Sequence, residues 1–126
     1  PWPADGRIIS KFGRQWNSKL KTTTENPGID IKGKPGSSIR TVLGGVVTTI
    51  TYIRGYGTTI IVDHGGGFYT VYSHVTNIQT NVDSQVRNGD VIAYMGDSGS
   101  INGSKLHFEI WGKGQKLDPE KWLRKK

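Results

Sequence analysis

The chain has 126 residues, 17 Lys plus Arg against 10 Asp plus Glu, 18 glycines and no cysteine. That length suits one domain with a single hydrophobic core. The missing thiols exclude cysteine chemistry, Cys-type zinc sites and disulfide frameworks, and no apolar run is long enough to cross a bilayer as a helix.

An apolar fraction of 33% with so much glycine favours many short strands joined by tight turns. A net charge of +7 suits a polyanionic partner, an anionic envelope polymer or an acidic protein surface. No aromatic–basic recognition motif accompanies the charge, so nucleic acid is not expected. The opening Pro1-Trp2-Pro3 carries no signal peptide and reads as the start of a domain excised from a longer protein.

Gly6–Ser10 and Lys11–Gly13 read as short strands, and Asn17–Glu25, rich in Thr and Lys, as a loop. Asn26-Pro27-Gly28 is a turn, because Pro presets φ and Gly supplies freedom to reverse direction. Ile29-Asp30-Ile31 then alternates, with Asp30 facing away from its neighbours, before a second turn at Gly33–Gly36. Val42–Ile53, broken by Gly44-Gly45, is rich in strand-forming residues, and Gly55-Tyr56-Gly57 is a bend. Thr58–Asp63 and Phe68–Val75 are strands joined by three glycines into an antiparallel hairpin. Alternation puts Thr70, Tyr72 and His74 on one face of the second strand. Asn77–Val86 connects, Asn88-Gly89-Asp90 turns, and Val91–Met95 is a strand. Gly96–Ser104 is a loop of turn residues that leads into Lys105–Trp111. Asp118 and Pro119 begin a short helix as N-cap and first helical residue, Trp122-Leu123 tuck it against the body, and Arg124–Lys126 form a solvated basic end. The expected architecture is all-β and antiparallel, with one short C-terminal helix, and no linker divides residues 1–126.

The Lys105–Trp111 strand organises the chemistry. Leu106, Phe108 and Ile110 make one apolar face, while Lys105, His107, Glu109 and Trp111 share the other, the floor of a site or an exposed surface. Three further segments present polar side chains beside turns: Asn26–Asp30, Tyr72-Ser73-His74 and Asp97–Ser100. With Gly44–Val47, Val62–Gly65, Val86–Asp90 and Leu117-Asp118-Pro119, these linked motifs resemble the LytM (M23-type) metallopeptidase domain over nearly the whole chain. The resemblance implies an antiparallel β fold of the duplicated-hybrid-motif type with a long groove, whose active members cut peptide cross-links of peptidoglycan.

The resemblance also implies a zinc site built from His-x-x-x-Asp and a later His-x-His. Asp30 and His107 match ligand positions of that pattern, and His74 matches the histidine of a Tyr-x-His segment that, with the first histidine of the later pair, assists water and the transition state. But Asn26 stands at the first ligand position and Lys105 at the first histidine of the later pair. A catalytic zinc normally takes three protein ligands. An amide is a poor replacement for imidazole, and an ammonium beside a dication is repelled by several kcal/mol, on the order of. The expected reading is therefore a lost metal site, no cofactor and no catalysis, with Lys105 pairing with Asp30 in place of the metal.

Zinc-less LytM domains resemble the EnvC-type and NlpD-type amidase activators. Gly55–Gly57, Val86–Gly89 and Pro119–Leu123 place this chain nearer the EnvC type. That resemblance implies a groove that binds a regulatory helix of a cell-wall N-acetylmuramoyl-L-alanine amidase during daughter-cell separation. It further implies a periplasmic, Gram-negative-type setting, an upstream coiled coil with division-machinery contacts, and peptidoglycan as a further partner. A helix-binding groove asks for aromatic anchors and a polar rim. Asn26, Asp30, Tyr56, Tyr72, His74, Lys105, His107, Glu109 and Trp111 are the candidate groove residues. Bland readings stand beside these: Asp30 as a turn-end carboxylate, Tyr56 and Tyr72 equally as core edge, His74 as packing, His64 as structural. A residual zinc endopeptidase and a plain peptidoglycan-binding module are the alternatives to activation.

Overall fold

The computed structural model describes residues 1–100 and 103–125. Ile101 and Asn102 of the expected Gly96–Ser104 loop, and Lys126 of the basic end, lie outside the described residues. The main sheet runs in the order β1 (Arg7–Ser10), β4 (Ile29–Lys32), β12 (Lys105–Gly112), β8 (Phe68–Ser73), β7 (Gly57–Gly65), β6 (Gly45–Ile53), β10 (Gln85–Val86), with β13 (Gln115–Leu117) also paired to β12. A smaller sheet is ordered β5 (Ser38–Arg40), β11 (Val91–Met95), β9 (Val75–Thr76). All pairings are antiparallel, as the alternating strands and short glycine turns require.

The core lies between one face of the main sheet and the smaller sheet. Ile29 and Ile31, Ile60 and Val62, Tyr72, and Leu106, Phe108 and Ile110 join Ile39, Ile92, Ala93 and Met95 in one buried cluster. Phe108 stands opposite Ile29 on one side and Tyr72 on the other, its ring 5.3 Å from the Tyr72 ring. Burying such a side chain contributes about 3 kcal/mol. The β7–β8 hairpin turns through Gly65, Gly66 and Gly67, all at positive φ, a run that side-chain-bearing residues resist.

Two expectations are corrected. Asn17–Glu25 is not a loop throughout. Gly13–Asn17 (β2) and Thr22–Asn26 (β3) form a separate two-stranded hairpin, in register from Gly13 opposite Asn26 to Asn17 opposite Thr22. The three consecutive threonines, β-branched and polar, favour a strand that needs no apolar face. The strand expected over Phe68–Val75 ends at Ser73, because His74 adopts φ 64°. That reversal breaks the alternation, so His74 does not share the face of Tyr72. At the C-terminus α1 (Pro119–Trp122) starts as expected, with the Asp118 side chain accepting from the Glu120 amide. Leu123 packs on the core, while Trp122 is 58% exposed with its ring 5.6 Å from Phe68.

Candidate functional site

Register brings the polar residues together. His107 on β12 stands between Asp30 on β4 and Ser73 on β8. Because β12 is interior to the sheet and covered on both faces, His107 (3% exposed) and Glu109 (5%) are buried and must find partners. They find each other. The His107 Nδ1 lies 2.6 Å from Asp30 Oδ1, and its Nε2 lies 2.8 Å from Glu109 Oε2. Glu109 Oε1 accepts from Trp111 Nε1 at 2.7 Å and has the Lys116 ammonium 3.6 Å away. The Lys105 ammonium reaches Asp30 Oδ2 at 3.4 Å.

An imidazole flanked by two carboxylates is held as the imidazolium. Burial opposes the charge, but the hydrogen bonds and charges of Asp30 and Glu109 outweigh it and raise the His107 pKa above its usual value. Burial would likewise raise both carboxyls. His107, aided by Lys105 at Asp30 and by Trp111 and Lys116 at Glu109, instead holds both below their usual range. His74 goes the other way: burial, with the cationic Lys105 and His107 nearby, lowers its pKa. Its Nδ1–H donates to the Ser98 carbonyl at 2.6 Å, which fixes the neutral tautomer.

A cleft of about 240 Å³ opens over this row, lined by Ser10, Asn26, Asp30, Tyr56, His74, Lys105 and His107, with Thr24 and Glu25 of the β2–β3 hairpin as one wall. The Tyr56 ring sits 4.9 Å from the His107 ring and 6.5 Å from the His74 ring. Burial and the negative charges of Glu109 and Asp30 raise the Tyr56 pKa, so it presents a neutral hydroxyl. The cleft thus offers one aromatic face, a neutral histidine and a hydroxyl in a mostly polar lining, with the Lys105 ammonium paired to Asp30.

Six of the nine candidate residues therefore meet in one cleft: Asn26, Asp30, Tyr56, His74, Lys105 and His107. Tyr72 does not. It is fully buried on the opposite, core face, with its hydroxyl bonded to Thr70, Thr41 and the Val42 amide. Glu109 lies behind His107 rather than on the rim. Trp111 stands beyond it against Tyr69, with ring centroids 6.3 Å apart. His64 bonds the Gly44 carbonyl and the Thr70 hydroxyl, a structural placement. Sequence reasoning missed Thr24 and Glu25 as cleft wall, which the threonine run signalled, and Lys116, which nothing local signalled.

The residues do not fit the zinc site that the resemblance implies. Asn26 Oδ1 accepts from the Gly28 amide, and its Nδ2 donates to Ser10 Oγ. Lys105 brings a positive charge to Asp30. Among the described residues no group of three or more His, Asp or Glu side chains is arranged to hold a metal ion. What persists is a carboxylate–imidazole pairing, Glu109 to His107 Nε2, of the kind that orients histidine ligands in metal sites.

Comparison with known proteins follows the same line. The sequence model of peptidase family M23 matches residues 24–119. The chain is 32% identical to the murein hydrolase activator EnvC of Escherichia coli over 122 residues, which are 97% of this chain and 28% of that protein. It is 35% identical to the murein hydrolase activator NlpD of Escherichia coli over 123 residues, again 97% of this chain and 30% of that protein. The chain thus spans under a third of the length of these two relatives. Among solved structures, a zinc-containing peptidase from Vibrio cholerae superposes with a TM-score of 0.84 at 23% identity, covering 93% of this chain and 37% of that one. At that identity the likeness is one of fold.

Proposed function

Since this chain belongs to peptidase family M23, we propose that it is a non-catalytic LytM domain that activates a cell-wall N-acetylmuramoyl-L-alanine amidase, receiving the amidase's regulatory helix in its cleft during daughter-cell separation. The observation that carries the reading is the replacement of metal chemistry by an ion-paired floor. Lys105, Asp30, His107 and Glu109 satisfy one another, with an ammonium and an amide where the family resemblance expects histidines. Such a floor binds, but has no activated water to deliver. The names of the two relatives, both murein hydrolase activators, support the same role. Their Gram-negative source agrees with a periplasmic setting, where the upstream coiled coil and division contacts would lie. Peptidoglycan itself is a further partner in this reading.

In the cleft, Tyr56 supplies the aromatic anchor, and Lys105 and the exposed Glu25 the polar rim. The test is release of dye-labelled peptidoglycan by candidate amidases, with and without this chain. Activation is expected, falling at least tenfold in Tyr56→Ala and staying intact in Tyr72→Phe, which alters only the core. No activation of any amidase, with zinc-dependent peptidoglycan cleavage by the chain alone, would establish the residual endopeptidase instead. The retained Glu109–His107–Asp30 alignment is what keeps that second reading specific.

A further inference from the structure

Among the described residues the β2–β3 hairpin pairs only with itself, and at its end it exposes two large apolar side chains, Trp16 at 64% and Leu20 at 70%. The Asn17 side chain accepts from the Lys19 and Leu20 amides, which holds the turn between the strands in shape. From Gly6 to Thr24 the chain carries Arg7, Lys11, Arg14, Lys19 and Lys21 and no Asp or Glu, and all five cations are exposed. By strand alternation Trp16 shares a face with Arg14, Thr23 and Glu25, and Thr24 and Asn26 lie on the other; the hairpin meets the cleft through Thr24, Glu25 and Asn26, at the end away from its turn. Trp16 and Leu20 are not cleft residues.

We propose that this hairpin tip is a docking element for an anionic lipid leaflet, separate from the cleft. The two features ask for different things from one partner. Lys19 and Lys21 on either side of Leu20 ask for a dense negative surface, while Arg14, beside Trp16, stands opposite Glu25 and adds little to that demand. Trp16 and Leu20 ask for an apolar phase within reach of that surface. A flexible polyanion answers the first demand only. A bilayer interface answers both, because tryptophan settles at headgroup depth, leucine enters the acyl boundary and lysines reach back to phosphates. Each strand has five residues, so the hairpin extends roughly 17 Å, and neither Trp16 nor Leu20 lines the cleft.

The experiment is cosedimentation of the chain with vesicles of phosphatidylcholine alone and of phosphatidylcholine mixed with phosphatidylglycerol, together with tryptophan quenching by brominated acyl chains. Binding to the mixed vesicles only is expected, with quenching that disappears in Trp16→Ser. Loss of partitioning should be on the order of tenfold for each of Trp16→Ser and Leu20→Ser, and about fivefold for each of Lys19→Gln and Lys21→Gln. Circular dichroism of each variant reports that it is folded, and because Trp2, Trp111 and Trp122 also fluoresce, the quenching that counts is the difference between the unaltered chain and Trp16→Ser. Three results would overturn the proposal. One is no binding of the folded chain to the mixed vesicles. Another is binding that falls with the lysine variants but not with Trp16→Ser/Leu20→Ser, without quenching, the signature of a polyanion site. The third is equal sensitivity of polyphosphate binding to the apolar substitutions.

Discussion

Restoring histidines at Asn26 and Lys105 should turn the ion-paired floor into a zinc site, and the structure sets the magnitude. Zn–N and Zn–O bonds of about 2.1 Å at a tetrahedral angle place two ligand atoms about 3.4 Å apart. Asp30 Oδ1 and His107 Nδ1 are 2.6 Å apart, so they need to separate by about 0.8 Å, a side-chain adjustment. The obstacle in the natural chain is charge. The Lys105 ammonium lies 3.4 Å from Asp30 Oδ2, so a dication on Asp30 would sit about 4 Å from it. At an effective dielectric of about 20 that costs on the order of 8 kcal/mol, twice the unit-charge value. This rivals the lower end of what a structural zinc contributes, about 10 kcal/mol. Asn26→His alone should bind zinc weakly, Lys105→His alone weakly for want of a third ligand, and the pair stoichiometrically. The assay is zinc content after loading and dialysis, with competition against a chromogenic chelator. One tight zinc on the unaltered chain would refute the charge argument. A folded double variant that takes up none would refute the claim that the frame keeps a ligand geometry.

Two further outcomes test the buried row. Glu109→Gln leaves a neutral acceptor for the His107 imidazolium and weakens its hold on Trp111. It should lower stability by about 2–3 kcal/mol in urea unfolding, and a loss under 0.5 kcal/mol, on the order of a surface substitution, would show the contact to be idle. Stability should also depend on pH with a definite sign. Asp30 and Glu109, depressed below their ordinary values of 3.8 and 4.5, contribute stability above those values that is lost as pH falls through their folded pKa values. His107, raised above 6.5, contributes stability that is complete below 6.5 and lost as pH rises through its folded pKa. His74, lowered by burial, opposes this by costing stability below 6.5. The difference between the unaltered chain and His107→Gln isolates the His107 contribution, and it should shrink on alkaline titration. A pH-independent difference would contradict an imidazolium at this position.

How much was legible beforehand differs from residue to residue, for physical reasons. The period-two run from Lys105 to Trp111 announced both a strand and its two faces, since a pleated strand alternates whatever surrounds it. The glycine run at 65–67 and the Asp118-Pro119 pair announced a hairpin and a helix start, because both act through local backbone preference. Trp111 and Glu109 were legible as members of the polar face but not by depth. Distance along the strand decides which side chains reach the cleft, and that depends on where β4, β8 and the Tyr56 bend cross it. Tyr72 was misplaced because alternation was carried through His74, whose left-handed backbone no neighbouring residue signals.

The amino-acid sequence by itself determined the all-β class, the family frame, and the amide and ammonium that stand where the resemblance implies histidines, since neither can act as an imidazole in any geometry. The tertiary structure alone decided that His107 bridges Asp30 and Glu109 and that Lys116 closes the row, a matter of strand register between β4, β12 and β13. It also turned a polar threonine segment into the β2–β3 hairpin, because pairing between distant strands is won by packing and closure that no local pattern encodes.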